Sequence, residues 1–301
     1  MYSRMLIPID GSATAENVLP YARLLARTLS IPVELLEVLN VAEPARLGNP
    51  QNPGHLEDRV ALAEASSAEY LRGVAATFTG ANVHCTVEKG RPEDVIIAKG
   101  AGDASMLIAM ATHGRSGISR WLLGSIAEKV LRAAANPLLV VRAHEGAATN
   151  GEERLDSVIV PLDGSDIAES ALPTAVAIAR PLNLEIVLFR AYELPASAYY
   201  GRENYLPDYE GLTEEVRAGA QAYLEEKQKT IKAQGIENVS WELLEGSAPD
   251  EIIECGRHRP HSLIAICTHG RSGVQRWVLG SVTEKVVRHS AGPVLVVRAV
   301  G

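Results

Sequence analysis

THGRSGISRWLLGSIAEKVLRAAANPLLVVRA (residues 112–143) returns 156 residues later as THGRSGVQRWVLGSVTEKVVRHSAGPVLVVRA (residues 268–299). The two stretches align without a gap, and 22 of their 32 positions are identical. Upstream, MLIPIDGS (5–12) matches VIVPLDGS (158–165) at an offset of 153 residues, so the second copy carries a short insertion between the two motifs. A period this long is no solenoid repeat; it is the size of a domain. The 301 residues therefore read as two homologous domains, expected at 1–145 and 155–301. The linker is expected at about 146–154, where HEGAATNGEERL (144–155) is small and polar.

Within each copy, strand-like and helix-like patterns alternate. In the first, Met5–Ile9 reads as a buried strand. Ala13–Leu29 reads as a helix, with Val18, Tyr21, Ala22, Leu25 and Leu29 on one face. Strands are expected at Val33–Val41, Asn82–Glu88, Met106–Ala111 and Leu138–Arg142, and helices at Leu56–Phe78, Pro92–Ala101 and Ser125–Ala134. Glu43–His55 and, in the second copy, Glu193–Leu212 read as loops. Strands apolar on both faces that alternate with helices argue for a parallel sheet covered by helices. With right-handed crossovers this is a doubly wound α/β domain. Pro8 and Pro161 lie inside the first strand of each copy, where a ladder donor would be lost; each is expected near the strand's carboxyl end, where pairing stops.

Composition removes several function classes. The formal net charge is −8 with no long basic run, which argues against a nucleic-acid backbone binder. The apolar runs are strand-length, so no membrane span is expected. The chain enters a strand almost at once, so no signal peptide is expected and the location reads as cytoplasmic. Cys85, Cys255 and Cys267 form no CxxC or metal-like cluster and read as buried free thiols.

In an open α/β sheet, ligands bind beyond the carboxyl ends of the strands. Three features of each copy fall there: Asp10 (Asp163) after the first strand, Thr112–Gly117 (Thr268–Gly273) after the fourth, and Gly124-Ser125 (Gly280-Ser281) opening the next helix. Ser125-Ile-Ala-Glu128 and Ser281-Val-Thr-Glu284 have the spacing of capping boxes. The positive helix start beside a bare glycine suits a phosphate; the alternative is a plain cap. Gly114 and Gly117 allow backbone turns that aim N–H groups at an anion. Arg115 and Arg120, with Arg271 and Arg276, supply guanidinium forks suited to phosphate, or else a solvated face. His113 and His269 have no second ligand at metal spacing and suit loop hydrogen bonding. Trp121 and Trp277 suit apolar anchors of the loop. Asp10 and Asp163 admit three roles: bonding a nucleoside, holding a metal, or capping the next helix. GxSxG, HExxH, GxxxxGK[ST] and GxGxxG patterns are all absent.

These residues resemble the universal stress protein (UspA-type) family, and the chain resembles a tandem member over about 1–143 and 155–299. The mark is the first-strand Asp with G-x2-G-x9-G-[ST] after the fourth strand, as in the ATP-binding branch. Gly114 and Gly124-Ser125 fit it, as do Gly270 and Gly280-Ser281. Both copies depart at the first glycine, which is Ala111 in one and the bulkier Cys267 in the other. The resemblance implies two five-stranded parallel, Rossmann-like sheets of order 3-2-1-4-5. It implies that Asp10 and Asp163 contact the adenosine end of ATP, taken with or without Mg²⁺. Gly114, Gly124, Ser125 and Ile126, and Gly270, Gly280, Ser281 and Val282, would hold the phosphates. The backbone near Val38 and Leu39 would line the adenine, and Ala111, His113, Arg115 and Gly117, with Cys267, His269, Arg271 and Gly273, complete the expected surroundings. It further implies pairing of the two domains through their last strands, and a homodimer of tandem chains. The expected function is a nucleotide-dependent regulatory switch or scaffold in the stress response, not an enzyme. A slow ATPase or phosphotransferase, with His113 or Asp10 as base, stands as an alternative. So does an interaction module without nucleotide, to which Ala111 and Cys267 point.

Overall fold

The computed structural model describes residues 2–40, 56–112, 123–143, 149–193, 209–268 and 279–298. The chain divides into two compact units. The first gathers the chain up to Arg154 together with Pro293–Arg298; the second begins at Leu155.

The first unit contains β1 (Met5–Pro8), β2 (Val33–Leu39), β3 (Val83–Lys89), β4 (Leu107–Ala111) and β5 (Leu138–Val141), in the order β3-β2-β1-β4-β5. All these pairings are parallel. The intervening helices are α1 (Leu19–Leu29), α2 (Leu56–Ala75), α3 (Pro92–Ala101) and α4 (Ser125–Ala133). The doubly wound α/β class and the 3-2-1-4-5 order are both present here. Leu6, Ile7, Leu35, Leu36, Leu107 and Ile108 are fully buried; each stabilises the fold by about 2 kcal/mol relative to exposure.

The second unit repeats the design with β6 (Ser157–Pro161), β7 (Glu185–Tyr192), β8 (Val239–Glu245) and β9 (Ser262–Cys267), in the order β8-β7-β6-β9. Its helices are α5 (Asp166–Glu169), α6 (Leu172–Leu182), α7 (Tyr209–Ala233), α8 (Ala248–His258) and α9 (Ser281–His289). One detail departs from the expected pair of identical sheets. The fifth strand of the second repeat, β10 (Val294–Val297), belongs to the first compact unit. There it runs antiparallel to β5, with Val294 opposite Val140 and Leu295 opposite Leu139. Both strands are wholly apolar, LLVV and VLVV, and an apolar edge that is left open is a liability. Arg298 reinforces the junction by donating to the carbonyls of Leu131 (2.5 Å) and Asn136 (3.3 Å).

The expected helix over Ala13–Leu29 is two pieces. A 3-10 turn, Ala15–Val18, precedes α1, which starts with Pro20 in its first turn. A proline there loses no helical hydrogen bond. Ser30 and Asn183 end α1 and α6 in the left-handed conformation. α7 begins at Tyr209, inside the stretch expected to be loop.

Pro8 and Pro161 are the last residues of β1 and β6. Along a parallel strand, successive N–H groups point to alternate neighbours. Ile9 donates to Leu36 of β2, so Pro8 faces β4. Pairing of β1 with β2 runs to Pro8, but the register with β4 ends at Leu6 opposite Ile108. Likewise Leu162 donates to Phe189 of β7, and the register of β6 with β9 ends at Ile159. The missing donor thus lies where the ladder has already parted, and the first and fourth strands of each repeat diverge at their carboxyl ends.

Two further contacts fix the first unit. Glu34, buried on β2, accepts from Lys99 Nζ at 2.7 Å and Thr86 Oγ1 at 3.1 Å, and lies 3.5 Å from Arg4. Burial pushes its carboxyl pKa up, but Lys99, Thr86 and Arg4 outweigh this and hold it below the ordinary range. Residues of the expected linker are docked on α1. Buried Arg23 donates to the carbonyls of Gly151 (2.5 Å) and Thr149 and to Thr77 Oγ1 (3.0 Å). Arg27 pairs with Glu152 at 2.5 Å.

Lys99→Met removes the closest charged partner of the buried Glu34 carboxylate, leaving Thr86 and the more distant Arg4, and should cost roughly 3 kcal/mol in denaturant unfolding at neutral pH. Because the folded pKa of Glu34 is depressed, its contribution is present above the unfolded carboxylate pKa and disappears as pH falls through the folded value. The difference between wild type and Lys99→Met should therefore shrink in acid, as paired unfolding curves would show. At Gly100 on α3, an added Cβ would lie 2.2 Å from Asn136 Oδ1. Gly100→Ala should destabilise the protein by about 1–3 kcal/mol through overpacking, read as a lower melting temperature.

Candidate functional site

The first element of each site is the Asp-Gly-Ser turn that leaves the central strand. Asp10 Oδ1 accepts from the Ser12 amide (3.1 Å) and from Ser12 Oγ (2.6 Å). Ser12 Oγ in turn accepts from the Ala15 amide at 3.1 Å. Asp163, Ser165 and Ala168 repeat the arrangement at 3.0, 2.6 and 3.2 Å. Gly11 and Gly164 turn the chain at φ of 77° and 87°, which favours glycine. The serine, not the aspartate, does the capping: Ser165 is the N-cap of α5. Each aspartate is half-buried and aimed by its own loop beside the gap between the first and fourth strands.

The second element is the end of the fourth strand and the helix that follows the glycine-rich loop. The Gly124 amide donates to the Thr112 carbonyl at 2.8 Å, and the Gly280 amide to Thr268 at 2.8 Å. This bond ties the two ends of the loop together, so Gly124-Ser125 sits against the end of β4 and Gly280-Ser281 against that of β9. Thr112 is held from its other side by the Val141 carbonyl (2.8 Å) and by the Ala143 amide on its Oγ1 (3.1 Å).

The expected capping boxes are not formed. Gly124 and Gly280 are the N-caps, Ser125 and Ser281 are the first helical residues, and no side chain bonds either cap. Glu128 turns to Arg132 at 3.3 Å, and Glu284 to Arg288 at 2.9 Å. A glycine one position ahead of the serine takes the cap because its φ of −58° or −62° satisfies the geometry directly. Any residue adopts that φ, so the backbone conformation does not demand glycine; what glycine supplies is room beside the first helical amides. A helix start without a side-chain cap leaves the dipole's positive end to be met from outside.

The third element was not evident in the sequence. Tyr70 on α2 donates to Glu16 Oε1 at 2.8 Å, and Tyr223 on α7 to Glu169 Oε1 at 2.9 Å. Burial, the bonded glutamate and the aspartate of the same unit, Asp10 or Asp163, raise both phenol pKa values. Each tyrosine is therefore a fixed neutral donor in the field of the site aspartate. The signal available was the repeat itself, because Glu16 and Glu169, like Tyr70 and Tyr223, are related by the 153-residue offset.

Among the expected site residues, Asp10, Ala111, Gly124, Ser125 and Ile126 stand at the carboxyl ends of β1 and β4 or on the first turn of α4. Asp163, Cys267, Gly280, Ser281 and Val282 do so in the second repeat. Val38 and Leu39 end β2, on the other side of β1. His113, Gly114, Arg115, Gly117, His269, Gly270, Arg271 and Gly273 lie outside the described residues, as do Arg120, Arg276, Trp121 and Trp277. Cys267 is buried with its sulfur 3.3 Å from Ser170 Oγ, and Thr283 Oγ1 donates to its carbonyl at 2.7 Å. Cys255 is also buried, and burial together with Glu242 pushes its thiol up to about 12. Cys85 is only half-buried. Among the described residues no cluster of three or more His, Cys, Asp or Glu side chains could hold a metal ion, and no helix is long and apolar enough to cross a membrane.

A family model described as the universal stress protein family matches residues 1–142 and again 155–298. A universal stress protein of Mycolicibacterium smegmatis is 24% identical over 302 residues, covering 98% of this chain and 96% of its own length. One from Methanocaldococcus jannaschii is 32% identical over 152 residues, 50% of this chain and 85% of its own. The crystal structure of a universal stress protein from Archaeoglobus fulgidus shares the fold, with a TM-score of 0.70 at 22% identity and 99% coverage of both chains. With the family pattern matched twice over nearly its whole length, the chain belongs to the universal stress protein family as a tandem member.

Proposed function

We propose that this protein binds an adenine nucleotide, ATP alone or with Mg²⁺, in each repeat, and that occupancy sets a regulatory or scaffolding state without rapid turnover. The observation that carries the reading is a glycine-capped helix start, pinned to the end of the fourth strand and facing the gap beside an aimed aspartate, built twice. Backbone amides at such a start bind phosphate, and a carboxylate at the neighbouring strand end accepts hydrogen bonds from a ribose or an amine. In the first repeat the site comprises Asp10 and the Val38–Leu39 strand end for the nucleoside, with Ala111, His113, Gly114, Arg115, Gly117, Gly124, Ser125 and Ile126 around the phosphates. In the second repeat Asp163 takes the nucleoside role, and Cys267, His269, Gly270, Arg271, Gly273, Gly280, Ser281 and Val282 surround the phosphates. Catalysis of hydrolysis needs a base positioned on water. Among the described side chains of the first site, Asp10 and Tyr70 are tied to Ser12 and Glu16.

The domains are taken as 1–145 and 155–301. We further propose that the two repeats pair through their last strands, as the β5–β10 register supports, that tandem chains dimerise, and that the protein acts in the cytoplasm in the stress response.

Saturating ATP should raise the melting temperature. At a hundred times the dissociation constant, one site contributes about 2.7 kcal/mol. The double variant Gly124→Arg/Gly280→Arg, which fills both gaps with a side chain, should lose the shift and the calorimetric heat of binding. Absence of both signals in the wild type would refute the reading.

A further inference from the structure

The segment that leads from the first repeat into the second is tied to the first. Arg23 on α1 is buried, with its guanidinium carbon 5.7 Å from the Phe78 ring centroid. A buried cation is costly unless partners meet it. Those of Arg23 include the carbonyls of Gly151 and Thr149, besides Thr77 Oγ1. Burial holds its guanidinium below the ordinary arginine pKa, while the charges of Glu152 and Glu16 oppose that shift. Alongside, Arg27 pairs with Glu152, and the Glu153 amide donates to the Pro20 carbonyl at 3.4 Å. Burial together with Glu153 pushes the Tyr21 phenol up to about 12. Thr149 Oγ1 donates to Glu16 Oε2 at 3.4 Å, so Glu16 is shared: its other oxygen holds Tyr70. The second repeat differs. At the 153-residue offset, Val176 stands in place of Arg23 and Lys227 in place of Val74. Lys227 Nζ reaches Glu169 at 2.8 Å, so the glutamate equivalent to Glu16 takes a partner from its own repeat.

We propose that residues 149–153 are a ligand-sensitive strap: a nucleotide in the first site tightens their hold on Arg23 and Glu16, and so passes the state of that site to the chain that enters the second repeat. This rests on the nucleotide-binding reading above. The strap can lift without disturbing the core. Asn150, Gly151, Glu152 and Glu153 are exposed, so polar contacts hold it rather than a buried apolar face, and segments of that kind open at low cost. The path to the site is a run of single contacts. Asp10 Oδ1 accepts from Ser12 Oγ, and Ser12 Oγ accepts from the amide of Ala15, which opens the 3-10 turn that carries Glu16. Glu16 stands between Tyr70 of α2 and Thr149 of the strap. A ligand that takes hold of Asp10 restrains this turn, and docking against a restrained Glu16 gives up less conformational entropy. Such coupling is reciprocal: the factor that the ligand adds to docking is the factor that docking adds to the ligand. Arg23, Glu16 and Thr149 are positioning residues in this account.

The test reads the strap and the site separately in the full chain. Glutamyl endopeptidase cuts after Glu152 and Glu153 when the strap lifts. Gly280→Arg fills the second gap and leaves the first site, and Gly124→Arg does the reverse. In Gly280→Arg, saturating ATP should slow the cleavage about fivefold or more; in Gly124→Arg it should leave the rate unchanged. By reciprocity, Arg23→Gln and Thr149→Val should each weaken ATP binding about fivefold in the Gly280→Arg background and leave it unchanged in Gly124→Arg, as calorimetric titration reads. A Gly280→Arg chain that binds ATP without slower cleavage overturns the proposal and leaves nucleotide binding intact. So does one that binds ATP equally tightly with Thr149→Val. A Gly280→Arg chain that folds and binds no ATP, while the wild type binds it, overturns the proposal as well. Where Arg23→Gln or a background does not fold, Thr149→Val in the wild-type chain decides by the same two readings. A wild type that binds no ATP overturns the nucleotide reading and this inference together.

Discussion

Proline at the last position of β1 and of β6 has no N–H to give the fourth strand of its sheet, and the ladder on that side has ended two residues earlier. On the opposite side, pairing with the second strand continues to the proline itself. The central strand is thus held on one flank and released on the other, and the gap opens between two strands that are otherwise buried and parallel. The described features of the candidate site are arranged around that release. The Asp-Gly-Ser turn leaves from one lip. The Thr112–Gly124 and Thr268–Gly280 bonds close the loop on the other and bring a helix start to it. This is the topological switch point of an open α/β sheet, where the strand order reverses, and the residue that cannot donate stands where the ladder has ended.

Beside the gap, each helix start presents backbone amides rather than a side-chain cap. Amides at the first turn of α4 and α9 cannot be removed by substitution, and glycine at the cap keeps side chains away from them. The aspartate is aimed by its own serine, and the serine by the following 3-10 turn or short helix. The tyrosines stay protonated because burial and neighbouring carboxylates oppose their ionisation.

Much of this could be read from the residues. The repeat and its internal offset gave two α/β domains, and α3 falls at the expected Pro92–Ala101. Three things were hidden, each for a physical reason. The Ser-x-x-Glu spacing looks like a capping box, but a glycine one residue earlier already has the cap conformation, so the glutamate is released to an arginine one turn on. HEGAATNGEERL has linker composition, yet residues 149–152 are docked, because the buried Arg23 needs acceptors and takes carbonyls from this segment. The Glu16–Tyr70 and Glu169–Tyr223 pairs span 54 residues, a separation without local meaning until the helix after the second strand packs beside the turn after the first.

Duplication separates what the fold requires from what it tolerates. The proline, the Asp-Gly-Ser turn, the glutamate–tyrosine bond and the glycine-capped helix occur in both repeats, and each either shapes the backbone or fixes a polar group by it. The carboxylate network at the other end of the sheet shares no such identity. Glu34, Lys99 and Arg4 serve the first repeat, whereas Glu185, Ser240, Glu242 and Arg259 serve the second. Ion pairs withdrawn from solvent in whole or in part need internal balance rather than particular partners, so two solutions fit one sheet. The same reasoning applies at the sites. The strand registers put Glu37 and Arg190 at one backbone position, and the glycine-capped helix starts keep the same backbone geometry in both repeats. Local charge can therefore diverge between repeats while the amide framework stays the same.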